Sequence, residues 1–349
     1  MIEHVLTFRI TRFITETTEA RTFVLEEING EKVIYKSGQF LTLIFNEHGH
    51  EVRRSYSISS TPGIDPYICI TVKRVYNGSI SRLLLDHYKE GDVLTALAPS
   101  GKFVSDESAK LDKDIFLFAA GSGIVPVLSL LKDMLYNRAA SSVFLFYQNH
   151  SAQETIFRKA IQQMAIEFSE KFTWFDFVST RMEVTSQMRR MNNETLEAFV
   201  PAHMKYDKSS AEFFICGPIS FMRMCQFTLI FMGFAQQQIK REYFVIDTAP
   251  PPPLIVNPLP RNITIKDLRS PVSFISSFPK TILQSALDNH IKLPYSCKGG
   301  KCSTCVAKCI SGEVVLSMND VLTEEDLRKG LILTCVGYAV TDVVLSYEV

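Results

Sequence analysis

Cys297-Lys298-Gly299-Gly300-Lys301-Cys302-Ser303-Thr304-Cys305, with Cys335 following after 29 further residues, is the stretch of this 349-residue chain that decides most about it. The spacing C-x4-C-x2-C with a distant fourth cysteine suits a 2Fe–2S cluster. Its two irons need two thiolates each, on a loop that wraps closely around the inorganic sulfides. Gly299 and Gly300 keep Cβ atoms out of the way, so backbone N–H groups can approach those sulfides and tune the potential. Structural zinc is the alternative, but zinc sites usually pair two C-x2-C units or combine Cys with His. The candidate ligands are Cys297, Cys302, Cys305 and Cys335, while Cys69, Cys225 and Cys309 read as core thiols. Five of the eight cysteines lie in the last 53 residues, which in a reducing compartment points to metal or redox chemistry there and not to disulfides.

Upstream of this cluster, TAPPPPLIVNPLPRN at 248–262 carries six prolines and reads as an extended spacer. The residues after it, 262–349, are enough for one small domain stapled by a metal centre. With the cysteine spacing, this unit resembles a plant-type ferredoxin of the α+β β-grasp fold. That resemblance implies a low potential, on the order of −400 mV.

Residues 1–109 have a different texture. HVLTFRITRF, TFVLEEI, FLTLIFNE, YICITVKRV and DVLTALAP are short alternating or apolar runs broken by turns, as in an antiparallel β-barrel. Within them Arg54-Ser55-Tyr56-Ser57 opens an expected strand SYSISS. A flavin needs a flat apolar face, a hydrogen-bond donor near N5 and a cation for its phosphate. Tyr56, Ser57 and Arg54 supply these, with Arg54 and Tyr56 on one face and Ser57 on the other. The same four letters also fit an ordinary barrel strand with a surface Arg. Val72-Lys73-Arg74 then leads into Asn77-Gly78-Ser79-Ile80-Ser81 and a helical RLLLDHY. There Gly78 and the serines are expected to cap a helix whose first amides could hold a pyrophosphate.

Residues 110–247 alternate strand and helix: DIFLFAA, GSGIVPVLSLLKDMLYNR, SVFLFYQN, ETIFRKAIQQMAIEF, FTWFDFVS, NETLEAFV and EFFIC. This predicts an α/β nucleotide domain with a parallel sheet and helices on both faces. Gly121-Ser122-Gly123-Ile124-Val125-Pro126 joins the first strand to its helix, the context of a dinucleotide phosphate loop, although Pro126 stands where a third glycine is usual. Cys216-Gly217-Pro218 ends a later strand, at the edge where open α/β sheets bind ligands. Phe213 to Ala235 is long and apolar, but Gly217-Pro218 interrupts it and Arg223 and Gln226 lie within it, so a strand and a buried helix are expected instead of a membrane span.

In their order, closed by Pro99-Ser100-Gly101-Lys102-Phe103, these motifs over residues 1–247 resemble the ferredoxin–NADP reductase family. The resemblance implies that Arg54 meets the flavin phosphate, Tyr56 stacks on the isoalloxazine and Ser57 faces N5. It also implies that Lys73, Gly78, Ser79 and Ser81 line the rest of the flavin, and that Gly121, Ser122, Gly123, Pro126, Gly217 and Pro218 hold the nucleotide with Cys216 beside the nicotinamide. FAD is the expected flavin, with FMN the alternative. NADPH or NADH is the expected donor. Arg181, Arg189 and Arg190 are candidates for a ribose 2′-phosphate, while His150 in Tyr147-Gln148-Asn149-His150, where relatives often have Arg, weakens the NADPH case.

Formal charge balances, 37 basic against 37 acidic residues, and no block of like charge supports nucleic acid as the main ligand. The N-terminus lacks a secretory apolar region, so the expected location is cytoplasmic. A nicotinamide gives up two electrons as a hydride and a cluster takes one at a time, so a flavin must stand between them. The domain order resembles reductase components of multicomponent oxygenases and desaturases. This implies an NAD(P)H-dependent oxidoreductase serving an oxygenase or desaturase partner. The alternatives are an NADH-dependent FMN reductase of an aromatic-ring dioxygenase and a non-catalytic zinc or redox-sensing module.

Overall fold

A computed structural model describes residues 3–30, 32–47, 49–105, 112–137, 142–180, 190–244, 251–253, 259–267 and 271–348. The N-terminal unit contains β1 (Val5–Thr17), β2 (Ala20–Glu27), β3 (Phe40–Glu47), β4 (His50–Ser57), β5 (Ile68–Lys73), α1 (Ser79–His87) and β6 (Val93–Ser100). The strands pair antiparallel in the order β4-β3-β6-β1-β2-β5, and an antiparallel bridge between Ile58 and Ile70 closes the sheet on itself. Closure removes the exposed edges of an open sheet. Phe8, Phe23, Leu43 and Ile70, all buried, fill the barrel. The motif strand differs from its expected place. β4 runs from His50 to Ser57 and ends with the Arg-Ser-Tyr-Ser motif. Its Arg53, polar by type yet buried, hides the alternation that would mark the strand.

The middle unit holds β7 (Asp114–Ala120), α2 (Ile124–Tyr136), β8 (Ser142–Asn149), α3 (Arg158–Glu167), β9 (Phe172–Val178), α4 (Asn193–His203), β10 (Ala211–Cys216), α5 (Ile219–Phe231) and β11 (Ile239–Glu242). All five strands are parallel, in the order β11-β10-β7-β8-β9. Every residue of β7 is buried, because helices cover both faces of the sheet. Ile115 and Leu117 point into one core with α2 and α3, and Phe116 and Phe118 into the other with α4 and α5. The chain leaves β7 toward β8 on one side and returns to β10 on the other, so the topological switch lies between β7 and β10. The expected helix from Glu154 begins only at Arg158, because Phe157 sits in the left-handed region at φ 60°. The apolar stretch from Phe213 resolves into β10 and α5, and among the described residues no helix is long and apolar enough to cross a membrane.

The C-terminal unit combines β12 (Arg261–Ile265), β13 (Val272–Ser276), α6 (Ile282–Asp288), β14 (Val306–Ser311), β15 (Val314–Leu316), α7 (Glu324–Arg328), β16 (Leu331–Leu333), β17 (Gly337–Ala339) and β18 (Val343–Ser346). A five-stranded mixed sheet, β13-β12-β18-β14-β16, packs on α6, and β15 pairs with β17 beside it. β12 and β18 run parallel while the other neighbours run antiparallel, which is the β-grasp arrangement expected.

Candidate active site and cluster loop

The sheet's carboxyl edge gathers residues from three separate segments. β7 ends in Gly121-Ser122-Gly123, where Gly121 adopts φ +55° and its carbonyl accepts a 3.0 Å hydrogen bond from the buried Tyr147 hydroxyl. Gly123 has an ordinary helical φ of −60° and is required for a different reason: a Cβ there would collide with the Cys216 carbonyl. The glycine turn therefore lies directly on the Cys216-Gly217 segment, and the two nucleotide motifs form one surface.

Cys216 is fully buried and its Cα is in register with Glu242 on β11. Glu242 is half-buried, but its Oε2 is sealed from solvent without a partner. Ser57, at the end of β4 in the barrel, donates to Glu242 Oε1 at 3.1 Å. Burial raises the Glu242 carboxyl to about 8, against the lowering effect of the Ser57 hydrogen bond. Burial, reinforced by Glu242, also pushes the Cys216 thiol well above its usual value. A neutral, proton-bearing corner results, with an unsatisfied carboxyl oxygen that a ligand's hydrogen-bonding edge could meet.

The cluster loop is equally specific. Cys297 contacts Cys302 and Cys335, and Cys335 contacts Cys305, so the four sulfurs form one contiguous set. Hydrogen bonds from Cys302 and Cys335, with further ones from the Gly299 and Lys301 amides, hold the Cys297 thiol well below the usual range. The Cys297 amide donates to Cys302 Sγ and the Gly299 amide to Cys297 Sγ, both at 3.4 Å. Lys298, Gly300 and Ser303 all take positive φ, which curls the loop so that its amides face inward. Among the described residues no group of three or more His, Cys, Asp or Glu is arranged to hold a single metal ion. A contiguous four-sulfur set lined by amides is what a two-iron cluster requires.

Against this geometry the chain matches three domain families: an oxidoreductase FAD-binding domain over residues 7–104, an oxidoreductase NAD-binding domain over 117–226 and a 2Fe-2S iron-sulfur cluster binding domain over 265–340. It is 32% identical to the 3-ketosteroid-9-alpha-monooxygenase ferredoxin reductase component of Mycolicibacterium smegmatis, over 99% of this chain and 98% of that one. The chain belongs to this ferredoxin reductase family. The reductase is also 28% identical to a component of the 1,2-phenylacetyl-CoA epoxidase of Escherichia coli, over 99% of this chain and 98% of that protein. Phthalate dioxygenase reductase shares its fold, with a TM-score of 0.60 and 22% identity over 98% of both chains. The reductase is thus an oxidoreductase with FAD-binding, NAD-binding and 2Fe–2S domains in that order.

A cavity of about 790 Å³ lies where the three domains meet, within the range of cofactor pockets. Its walls include Arg54 and Ser55 of β4, Glu242 and Tyr243 after β11, and Cys297 and Cys302 of the cluster loop. Tyr56 is half-buried, and desolvation raises its hydroxyl, so its ring offers an uncharged flat face.

Other expected residues take less direct positions. Lys73 reaches toward Gly121, its Nζ 3.9 Å from where a Cβ would stand and 3.9 Å from Glu154 Oε2, and so bridges barrel and glycine turn. Gly78 precedes α1, but no side chain caps that helix. Ser81 Oγ instead accepts the Val75 amide at 3.1 Å and closes the turn, and Ser79 Oγ lies 3.5 Å from Glu47. Pro126 is buried in the first turn of α2, and Pro218 is exposed before α5. Arg181 and Arg189 lie outside the described residues, and Arg190 is exposed. His150 meets the Ser179 hydroxyl at 3.3 Å and its carbonyl accepts from Thr180. Cys225 is buried as expected, whereas Cys69 and Cys309 are only half-buried. Sequence reasoning missed Glu242 and Tyr147. The short charged strand IKRE offered little signal for the first, and the second was legible only as an aromatic in a buried strand.

Proposed function

We propose that this reductase takes a hydride from NADPH or NADH and delivers single electrons through its C-terminal cluster to an oxygenase or desaturase partner in the cytoplasm. When bound, FAD supplies the conversion from two-electron to one-electron chemistry, and the cluster supplies the one-electron outlet. The observation that carries the reading is that Glu242, which Ser57 hydrogen-bonds and which stands in register with Cys216, lines the same cavity as Arg54 and the loop cysteines Cys297 and Cys302.

In this reading Arg54 neutralises the flavin phosphate and Tyr56 presents its ring to the isoalloxazine. Ser57 offers its hydroxyl near N5, with Glu242 holding that hydroxyl and its proton. Gly121, Ser122 and Gly123 bring backbone amides to the nucleotide phosphates at the start of α2, with Lys73 supplying a cation across the turn. Cys216 and Gly217 shape the nicotinamide side. Cys297, Cys302, Cys305 and Cys335 hold the cluster. The relatives named for 3-ketosteroid and phenylacetyl-CoA oxygenation support an oxygenase as acceptor.

The test is the absorption spectrum of the purified protein followed by anaerobic addition of each nucleotide. Flavin and iron–sulfur bands should both be present and should bleach, faster with one nucleotide than the other. A spectrum without acid-labile sulfide in protein prepared anaerobically would remove the reading.

A further inference from the structure

We propose that Arg53 is the positioning residue that seats the ferredoxin domain on the barrel and so sets the rate of electron transfer from flavin to cluster. This rests on the relay just described. Arg53 adjoins Arg54 but points to the opposite face of β4, and its side chain is only 3% exposed. Glu3 grips it through two contacts, Nη1–Oε1 at 2.6 Å and Nη2–Oε2 at 3.2 Å, and Glu51 accepts from Nε at 2.7 Å. The barrel thereby fixes the guanidinium plane without help from the ferredoxin domain.

That plane meets Tyr295, two residues before Cys297. Arg53 Nη1 donates to the Tyr295 carbonyl at 3.2 Å, and the guanidinium carbon lies 3.9 Å from the ring centroid. Lys298, inside the cluster loop, places its ammonium 4.6 Å from the same ring. The Tyr295 hydroxyl lies 3.5 Å from Glu51 Oε1. One aromatic ring is therefore clamped between a barrel cation and a loop cation, immediately beside the first cluster ligand.

Other contacts across this interface are weaker in kind. Ser55 and Ser296 share a hydroxyl contact at 2.5 Å, Ser100 and Thr304 another at 3.2 Å, and Lys102 pairs with Asp326 at 2.5 Å with Lys102 38% exposed. Exposed ion pairs and neutral hydroxyl pairs contribute little to docking. A desolvated, pre-oriented guanidinium stacked on a buried ring contributes more, and its geometry is transmitted to Cys297 through two peptide units.

The test uses full-length, cofactor-loaded protein carrying Arg53→Met, Tyr295→Ala or the conservative Tyr295→Phe, each checked for flavin and iron content. In anaerobic stopped-flow experiments, Arg53→Met and Tyr295→Ala should slow electron arrival at the cluster by roughly 10- to 100-fold. Nucleotide-driven flavin reduction should stay within about twofold of wild type, and Tyr295→Phe should restore most of the inter-cofactor rate. Small-angle X-ray scattering should show a larger maximum dimension for the two disruptive variants, with faster hydrogen exchange over residues 293–305. If Arg53→Met does not fold, Tyr295→Ala carries the test from the other side. Wild-type transfer rates and scattering profiles in loaded variants would overturn the proposal. A wild-type cluster that nucleotide cannot reduce would overturn the relay instead, and the scattering would still report on the seat.

Discussion

The cluster loop carries three of its four proposed ligands between residues 297 and 305, whereas Ser57 and Glu242, a hydrogen-bonded pair whose carboxyl lines the same cavity, stand 185 residues apart. The loop depends on coordination chemistry. Two irons demand four thiolates at fixed spacing, and a tight wrap demands glycine and positive φ at neighbouring positions. The Ser57–Glu242 corner depends on hydrogen bonding and burial. These ask only that a hydroxyl, a carboxyl and a strand end arrive at one point, from whatever segments the fold provides. Mutations in the loop should therefore act on one cofactor alone, while mutations in the corner should spread through the domain contacts that assemble it.

The largest expected effect tests the first half of that contrast. Cys302→Ser removes a proposed ligand from the contiguous sulfur set, so reduction of one-electron protein acceptors should fall to background while nucleotide-driven flavin reduction persists. Parallel assays with a one-electron protein acceptor and with flavin bleaching decide this. Loss of flavin bleaching as well would mean that loop and corner are not separable.

The second prediction concerns the corner. A Cβ at Gly123 would meet the Cys216 carbonyl and the Gly217 amide, which are backbone atoms that cannot swing away. Gly123→Ala should lower stability by about 1–3 kcal/mol and weaken nucleotide binding while the cluster spectrum stays intact. Chemical denaturation and nucleotide titration check both effects. An unperturbed nucleotide affinity would show that the two glycine motifs do not form one surface.

The same contrast explains what was legible in the sequence. Cysteine spacing, the buried run DIFLFAA and the G-S-G turn each write their structure locally, so the contiguous cysteine set, the central strand and the glycine turn after it could be read directly. The C-terminal β-grasp topology followed from resemblance more than from its short strands. β4 was misplaced because Arg53, buried against two carboxylates and an aromatic ring, breaks the apolar–polar alternation by which a strand is read. β11 went unread because IKRE is four residues long and mostly charged, and with it went Glu242. Cys69 and Cys309 read as core thiols by residue type, yet they sit at half-buried strand positions. Burial of a polar group is settled by partners far along the chain, and no local pattern records them.

The smallest effect is a pH dependence, and its sign follows from Glu242. Its carboxyl titrates near 8 in the folded protein because burial disfavours the charge, but near the ordinary carboxylate value when unfolded. Between those values the folded state binds the extra proton, so this group's contribution is fully present below about pH 4 and is lost as pH rises through about 8. Glu242→Gln keeps the shape and removes the titration. Thermal unfolding of the variant should therefore fall less than that of wild type between pH 5 and pH 9. The nucleotide-driven rate of flavin reduction, if Ser57 depends on the protonated carboxyl, should lose an inflection near pH 8 that wild type shows. Cluster reduction by a chemical reductant should be unchanged across the same range, because the proposed ligands Cys297, Cys302, Cys305 and Cys335 would hold the cluster without reference to Glu242. Identical unfolding profiles for the two proteins would place the carboxylate in solvent contact and dissolve the corner as a proton-bearing site.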